Sequence, residues 1–225
     1  MKRLGEREQV CSRCVMDTTD PEITFDEEGV CSHCRKFDQE TINHWFPNSE
    51  GERKLGLMFE KIRLEGRQQE YDCIIGLSGG IDSSYLALVM KDYDLRPLVV
   101  HIDAGWNSEL AVYNIEKIVK FCNYDLHTHV MDWPEVRDLQ VAYLKAGVAN
   151  QDVVQDHAFF ASLYHFAVKN NIKYVISGGN IATESVFPAS WHHSAMDAIN
   201  LHDIHKSYGK IKLKHYKTIS FFSYF

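Results

Sequence analysis

The sequence lacks several features that define large classes of proteins. Among its 225 residues, no apolar run reaches the roughly 18 residues that a membrane-spanning helix needs. The charged N-terminus, Met-Lys-Arg-Leu-Gly-Glu-Arg-Glu, has no apolar stretch behind it, which argues against a signal peptide. Cations are outnumbered, with 24 Lys and Arg against 31 Asp and Glu and a net charge of −7. Because nucleic-acid binding needs clustered cations, a large nucleic-acid footprint is not expected. We therefore expect a cytoplasmic protein.

Cysteine is scarce, yet four of the six cysteines are arranged in pairs. Cys11 and Cys14 form one Cys-x-x-Cys pair, and Cys31 and Cys34 form a second. In a reducing compartment such spacing indicates a metal rather than disulfides, and zinc binds four thiolates in a tetrahedron. A module of about 35 residues cannot bury a useful core, so the metal would stabilise its fold. We predict a structural zinc ribbon in residues 1–45. A redox or iron–sulfur role is the alternative.

Apolar strands and helical segments alternate after this module. A composition that is 45% hydrophobic and 24% charged suits one globular domain with a small additional module. A linker and a helix occupy residues 46–70, and the alternating pattern runs through residues 71–225. Strands are expected at 71–77, 98–102, 126–131 and 174–177, and helices at about 83–92, 109–121, 134–146 and 152–170. This order predicts an α/β fold with a doubly wound parallel sheet, whose sites lie at the carboxyl ends of the strands.

The most informative segment directly follows the first predicted strand. Its glycine and polar positions are Ser78, Gly79, Gly80, Asp82, Ser83 and Ser84. Two successive glycines let the backbone turn tightly and point several N–H groups into one concavity. The following helix adds its unpaired N-terminal N–H groups and the positive end of its dipole. Such a turn binds phosphate. It is not a Walker A loop, because no Lys lies between Ser78 and Met90.

Two further polar loops follow predicted strands. Asp103-Ala-Gly-Trp106 comes after the second strand, and its Asp and Gly are also typical of a plain turn. Ser177-Gly-Gly-Asn-Ile-Ala-Thr-Glu184 comes after the fourth strand and is a second glycine-rich loop. Because the carboxyl ends of parallel strands meet at one edge of a sheet, both loops are candidates for the same site as residues 78–84.

Three polar clusters remain without a definite role. The first is at the start of a predicted helix and comprises Gln151, Asp152, Gln155, Asp156 and His157. It is either the rim of a substrate site or a simple helix cap. The second cluster consists of the histidines His192, His193, His202 and His205. Surface positions or contacts with a sugar are favoured for them over a second metal site. Lysines form the third, which is either a solvated face or a contact for an anionic substrate: Lys206, Lys210, Lys212, Lys214 and Lys217.

The loop at residues 78–84 resembles the pyrophosphate (PP) loop Ser-Gly-Gly-x-Asp-Ser of the N-type ATP pyrophosphatases, whose fold is of the adenine-nucleotide α-hydrolase-like type. The resemblance implies that ATP is cut between its α and β phosphates, that a substrate oxygen is adenylated, and that a nucleophile then displaces AMP. It implies catalytic roles for Ser78 and Asp82 and ATP binding by the whole loop. Asp103 would meet the adenosine end of ATP.

The second glycine-rich loop resembles the Gly-Thr-Gly-Asn-x-x-Glu loop of NAD synthetase, with one additional residue before the glutamate. This likeness places Gly178, Gly179 and Asn180 near the phosphates. It makes Glu184, together with Asp82, a candidate ligand of Mg²⁺, which prefers one or two carboxylates plus phosphate oxygens and water.

The combination of loops and cysteines resembles the N-acetyl sugar amidotransferases of surface-polysaccharide and flagellar-glycan synthesis, a family within the PP-loop superfamily. The matching stretches are residues 11–21, Cys31 with Cys34, residues 76–84 and residues 176–184. The resemblance implies adenylation of the acetamido group of an N-acetylated, nucleotide-linked sugar, followed by displacement of AMP by ammonia to give an acetamidino sugar. Members are usually longer, so a further C-terminal part is expected.

The resemblance also implies that partner subunits supply the ammonia, and no glutaminase nucleophile motif is evident in the chain. The expected partners are a glutaminase and an ammonia channel of the imidazole-glycerol-phosphate synthase type. Two other readings stay open. A zinc-finger tRNA thiolation enzyme uses the same loop, but it usually needs a cysteine pair, and Cys73 and Cys122 lie far apart. The other alternative is a non-catalytic subunit that binds ATP.

Overall fold

The computed structural model describes residues 8–184, 188–191 and 193–219. By its internal contacts the chain divides into two compact units. The described residues of Met1–Arg53 and Gly179–His193 form the first, and those of Lys54–Gly178 and Ser194–Phe225 form the second. The predicted boundaries at residues 45 and 70 stay a prediction. Among the described residues, no helix is both long and apolar enough to cross a bilayer.

The first unit contains the four-cysteine module and little regular structure. Isolated antiparallel bridges join Val10 to Asp17 and Phe25 to Cys31. Helix α1 spans Ser32–Gln39, a 3₁₀ turn spans Thr41–His44, and α7 spans Ile181–Glu184. A second 3₁₀ turn covers Ala189–Trp191.

The second unit is an α/β domain whose elements alternate as the sequence predicts. Its strands are β1 (Cys73–Gly76), β2 (Pro97–Asp103), β3 (Asp125–Val130) and β4 (Val175–Ile176). The helices before the last strand are α2 (Ser49–Gly66, of which residues 54–66 belong to this unit), α3 (Ile81–Asp92), α4 (Glu109–Cys122), α5 (Trp133–Ala146) and α6 (Val153–Lys169), and α8 (Ala198–Tyr208) follows it. All strands are parallel and their order is β3-β2-β1-β4. The predicted α/β class with a parallel sheet is confirmed.

Helices cover both faces of the sheet because successive strand residues point to opposite sides. On one face Cys73, Ile75 and Val99 pack with apolar residues of α2, α3 and α4. On the other, Ile74 and Val100 pack with residues of and around α6. Strands buried on both faces read as continuous apolar runs, which explains why the sequence marks β1 and β2 clearly.

Local signals place the helices that border the site. Ser108 caps α4, its hydroxyl accepting a hydrogen bond from the N–H of Ala111 at 3.1 Å. Asp132 caps α5 in the same way and Pro134 occupies its first turn. Asn123 ends α4 and Gly147 ends α5, both in the left-handed conformation that stops a helix.

The order β3-β2-β1-β4 puts a topological switch point between β1 and β4. The chain moves outward from β1 to β2 and β3, then returns to pair β4 with the opposite side of β1. In open α/β sheets, ligands bind in the crevice that opens at such a point beyond the carboxyl ends of the strands. The loop after β1, residues 77–80, lies at this point.

Candidate functional site

The glycine turn after β1 is held in a conformation that only glycine adopts readily. Gly79 has φ of +77°, and a Cβ atom there would lie 2.3 Å from the carbonyl oxygen of Ala111. The side-chain amide of Asn114, on the same helix α4, donates a hydrogen bond to the Gly79 carbonyl oxygen at 3.0 Å. Helix α4 thus fixes the turn from behind. Sequence reasoning missed Asn114, which no local motif marks.

The serines of the loop form a small hydroxyl network. The Ser78 and Ser83 hydroxyl oxygens are 3.1 Å apart, and the Ser83 hydroxyl also accepts from the Ser78 N–H at 3.3 Å. The N–H of Gly80 donates to the Ser78 hydroxyl at 3.3 Å. Ser84 Oγ is buried without a hydrogen-bond partner among the described residues. These hydroxyls shape the turn and supply donors beside it.

The start of α3 presents donors and one free carboxylate. Gly80 is the N-cap and offers no side chain, so no capping side chain occupies the first N–H groups of the helix. Asp82 lies in the first turn and is exposed, and its carboxylate accepts no hydrogen bond from another described residue. A Cβ atom on Gly178 would lie 3.2 Å from the carbonyl carbon and oxygen of Asp82. The end of β4 therefore approaches this turn closely, as the switch point requires.

Asp103 takes part in the fold of its own loop. Its Oδ1 accepts hydrogen bonds from the Gly105 N–H and the Asn107 side-chain amide, both at 2.9 Å. Asn107 Nδ2 also lies 3.1 Å from Nε2 of buried His101, whose Nδ1 is 2.9 Å from the carbonyl oxygen of Leu77. This chain of contacts ties the loop after β2 to the loop after β1. Sequence reasoning missed both His101 and Asn107.

Two tryptophans lie beside the Asp103 loop. Trp106 and Trp133 pack edge to face with ring centroids 5.6 Å apart, and they are 63% and 42% exposed. The Trp133 ring is 2.9 Å from where a Cβ atom on Gly105 would stand, so Gly105 (φ +84°) gives the ring room. Exposed aromatic faces at the carboxyl edge of a sheet can pack against a planar ligand.

The second glycine-rich loop is divided between the two units. Gly178 belongs to the second unit, and Gly179, Asn180 and Glu184 belong to the first. Glu184 Oε2 accepts a hydrogen bond from the Asn180 N–H at 3.0 Å, so one carboxylate oxygen is engaged within its own loop. The ATP and magnesium roles of these four residues stay predictions.

The four paired cysteines converge as predicted. Within the described part of the chain they form the one His, Cys, Asp or Glu cluster whose geometry could hold a metal, with ligand atoms within 4.8 Å of one another. The sulfurs of Cys11 and Cys34 are 3.9 Å apart, and those of Cys14 and Cys31 are 3.7 Å apart. A zinc tetrahedron with Zn–S bonds of about 2.3 Å has S–S edges of about 3.8 Å. The donor set and its spacing fit zinc.

Backbone N–H groups point at these sulfurs, as they do around a metal-bound thiolate. Arg13 and Cys31 donate to Cys11 Sγ at 3.4 and 3.2 Å, and Met16 donates to Cys14 Sγ at 3.5 Å. Burial raises the pKa of Cys11, but these backbone donors outweigh it and lower that pKa to about 6. Burial and the neighbouring thiols raise the pKa of Cys34. A divalent cation would stabilise all four as thiolates.

The other two cysteines are buried and unsuited to nucleophilic chemistry. Burial raises the pKa of Cys73 to about 12 and raises that of Cys122 as well. Reactive cysteines instead have lowered pKa values and partial exposure. Cys73 packs in the core beside the sheet, and Cys122 Sγ lies 3.8 Å from the carbonyl oxygen of Ala87.

The polar cluster that ends at His157 and the histidine cluster do not form one substrate rim among the described residues. His157 is fully buried, with Nδ1 2.7 Å from the carbonyl oxygen of Ala195 and Nε2 accepting from the Ile219 N–H at 3.2 Å. It is a core residue and not part of a substrate rim. Burial also lowers its pKa, in keeping with a neutral ring. His202 is exposed, His205 Nε2 lies 3.3 Å from Asp138, and His192 lies outside the described residues.

The lysine run lies on a segment anchored by two carboxylates of α5. Glu135 accepts hydrogen bonds from the N–H groups of residues 214–216 at 2.8–3.1 Å. Asp138 accepts from those of Lys210 and Ile211. The five lysines are exposed, and none forms an ion pair with another residue that the structure describes. Since α5 begins just after β3, the anchored backbone at 214–216 lies toward the carboxyl edge of the sheet.

Comparison with known proteins finds structural likeness at low similarity. No protein-family model and no curated protein matches the chain. An NMN synthetase from Francisella tularensis is 22% identical, with 60% of this chain and 56% of that one aligned at a TM-score of 0.42. An NH₃-dependent NAD synthetase from Campylobacter jejuni is 16% identical, with 69% of this chain and 72% of that one aligned at a TM-score of 0.42. A glutamine-dependent NAD⁺ synthetase from Acinetobacter baumannii is 20% identical, with 55% of this chain and 24% of that one aligned at a TM-score of 0.44.

The chain thus spans about half the length of the Francisella enzyme and about a quarter of the Acinetobacter enzyme. Because these three TM-scores are below 0.5, these likenesses carry no argument about the activity of this chain. The function has to be reasoned from the sequence motifs and from the geometry of the site.

Proposed function

We propose that the chain is an ATP-dependent, AMP-forming amidotransferase of the PP-loop superfamily that acts on the acetamido group of an N-acetyl sugar. One observation carries the proposal: the Ser78–Gly80 turn opens onto the N-terminus of α3 at the switch point between β1 and β4, and its conformation depends on Gly79. This is a binding site for phosphate groups made of backbone donors. The serine hydroxyls and the uncapped helix start add to it.

ATP would lie with its phosphates on the turn. The backbone N–H groups and the hydroxyls of Ser78, Ser83 and Ser84 would contact phosphate oxygens. The loop after β2 would receive the adenosine end, where the exposed rings of Trp106 and Trp133 offer a face for the base. Asp103 has a second carboxylate oxygen available for the ribose or base, because only Oδ1 is engaged in its turn.

The residues present also fit a magnesium ion. Asp82 offers an exposed carboxylate in the first turn of α3 with no competing described partner, and Mg²⁺ prefers one or two carboxylates together with phosphate oxygens and water. A bound Mg²⁺ supplies positive charge that lowers the cost of a leaving pyrophosphate. The protein itself would stabilise the charge of the phosphates with fixed backbone dipoles, which need no reorganisation during the reaction.

The proposed chemistry balances without an oxidant or reductant. The acetamido oxygen bonds to the α-phosphorus while the bond from that phosphorus to the bridging oxygen breaks, and pyrophosphate leaves with the electron pair. Ammonia then adds to the imidate carbon. The C–O bond breaks, the former acetamido oxygen leaves within AMP, and the sugar keeps an amidinium group. A glutaminase with an ammonia channel is the partner that this step requires.

Thiolation of tRNA fits the structure less well. It would need an activated thiol near the ATP site, whereas Cys73 and Cys122 are buried with raised pKa values. The four remaining cysteines have the geometry of a closed metal site, which leaves no open coordination position for chemistry. The sugar reading requires no cysteine in the catalytic domain.

The test is a product assay with the purified chain. ATP, Mg²⁺ and an ammonium salt are combined with UDP-N-acetylglucosamine, with other N-acetyl sugars, or with no sugar, and the AMP and pyrophosphate released are measured. The proposal predicts equal amounts of both, dependent on an N-acetyl sugar. Absence of release with every sugar would favour the non-catalytic subunit. Tight tRNA binding that weakens steeply with salt would contradict the sugar substrate.

A further inference from the structure

The zinc module shares its compact unit with a segment far away in the sequence. The described residues of 179–193, which include most of the second glycine-rich loop, form the first unit together with the module. The side chains of Asp20 and Ser190, 170 positions apart, are in direct contact: the Ser190 hydroxyl donates to Asp20 Oδ1 at 2.8 Å. Asp20 itself is only 2% exposed. A buried carboxylate needs its donors, so this bond holds Ser190 in place.

The same carboxylate is joined to the second cysteine pair. His33 Nε2 lies 2.7 Å from Asp20 Oδ2, and the N–H of Glu22 donates to Oδ1 at 3.0 Å. His33 lies between Cys31, the N-cap of α1, and Cys34 in the first turn of that helix. Metal binding by these two cysteines would therefore fix the ring that fixes Asp20. A second contact runs in parallel, since α7 packs against the 3₁₀ turn at Thr41–His44.

We propose that Asp20 is a positioning residue that couples occupancy of the cysteine site, through His33 and Ser190, to the conformation of the segment carrying Asn180 and Glu184. The metal site then does more than fold its own module. Its occupancy controls the segment that contains Asn180 and Glu184, whose ATP and magnesium roles are predictions that belong to the proposed function, so the part of the inference that concerns catalysis rests on that function. The structural part does not.

Hydrogen exchange followed by mass spectrometry tests the structural part. The N–H of Trp191 donates to the carbonyl oxygen of Pro188 at 3.0 Å, so peptides covering residues 188–191 should be protected in the zinc-loaded chain. We expect a strong chelator to raise exchange there by tenfold or more while a peptide covering β2 is unchanged. Ser190→Ala should show the same rise with one zinc retained, and Ser190→Thr, which keeps the hydroxyl, should restore protection.

Thr19→Val is the matched control, because Thr19 also donates a hydroxyl to a carboxylate, that of Asp17, but within the module. It should leave exchange at 188–191 unchanged. Where AMP release is detected, Ser190→Ala should raise the KM for ATP several-fold with a smaller change in kcat, and Ser190→Thr should reverse it. If no sugar supports AMP release, the proposed function fails while the exchange experiment still decides the coupling. Equal exchange at 188–191 with and without zinc would overturn the inference.

Discussion

Gly79 lies against Ala111 so closely that a Cβ atom on Gly79 would stand 2.3 Å from the Ala111 carbonyl oxygen. The turn that faces the switch point is therefore set by helix α4 as well as by its own sequence. Because Asn114 also binds the Gly79 carbonyl oxygen, two residues of α4 define where the N–H groups of the turn point.

Replacing Gly79 by Ala should abolish ATP binding. The substitution combines the left-handed φ of +77° with a backbone clash that no side-chain movement relieves, and the left-handed strain alone costs about 1–2 kcal/mol. Two control variants separate these effects. Gly147→Ala has φ of +66° with open space around it, and Gly76→Ala has open space without the strained φ. We expect lost ATP binding by calorimetry only for Gly79→Ala. Unimpaired binding in that variant would contradict the assigned loop.

The purified chain should contain one zinc ion and no visible chromophore. Exchange of zinc for cobalt should give the intense d–d bands and sulfur-to-cobalt charge-transfer bands of a tetrahedral thiolate site, because the sulfur spacing matches that geometry. Cys14→Ser should weaken metal retention and unfold the first unit, since the metal stabilises a module with little core of its own. Brown colour with bound iron and sulfide would instead support the iron–sulfur reading.

Glu135→Gln should destabilise the second unit in a pH-dependent way. Burial raises the pKa of Glu135, but the N–H groups of residues 214–216 outweigh it and bring that pKa below its usual range. A carboxyl with a depressed folded-state pKa stabilises the fold above its unfolded pKa, and this contribution is lost as pH falls through the folded value.

Urea unfolding at neutral pH should therefore show a loss of about 1.5–3 kcal/mol for Glu135→Gln, the range for a hydrogen bond to a charged group. The difference from the unaltered chain should shrink in acid, below about pH 4. Glu116→Gln is the control: Glu116 is exposed and paired with Lys120, and such a solvent-screened pair contributes little to stability. A difference for Glu135→Gln that persists unchanged in acid would exclude the charge as its cause.

Asp82→Asn should reduce turnover by at least about 100-fold, the order observed when one electrostatic contact to a transition state is removed. The folded state should be unaffected, because the Asp82 side chain is exposed and contacts no described hydrogen-bond partner. Asp92→Asn removes an exposed carboxylate from the other end of the same helix and should leave turnover unchanged. Retained activity in Asp82→Asn would exclude Asp82 from the mechanism.

The sequence predicts the elements of the α/β domain well because β1 and β2 are buried on both faces and their helices carry caps. The β1 turn is equally evident, since consecutive glycines and serines between strand and helix have few other uses. The link between Asp20 and Ser190 could not be predicted, because 170 residues separate two ordinary polar side chains. His157 resembles a rim residue in sequence, because its two hydrogen-bond partners, Ala195 and Ile219, lie 38 and 62 positions away and leave no local pattern. The sequence shows the positive charge of the lysine run, but it does not show that two carboxylates of α5 bind the backbone of that segment.

The most direct test of the proposed reaction follows one oxygen atom. An N-acetyl sugar labelled with oxygen-18 in the acetamido group is incubated with the chain, ATP, Mg²⁺ and ammonia, and the AMP is examined by mass spectrometry. If the acetamido oxygen attacks the α-phosphorus, each AMP released must carry one oxygen-18 and the pyrophosphate none. Unlabelled AMP, or ADP with phosphate in place of AMP with pyrophosphate, would contradict the account.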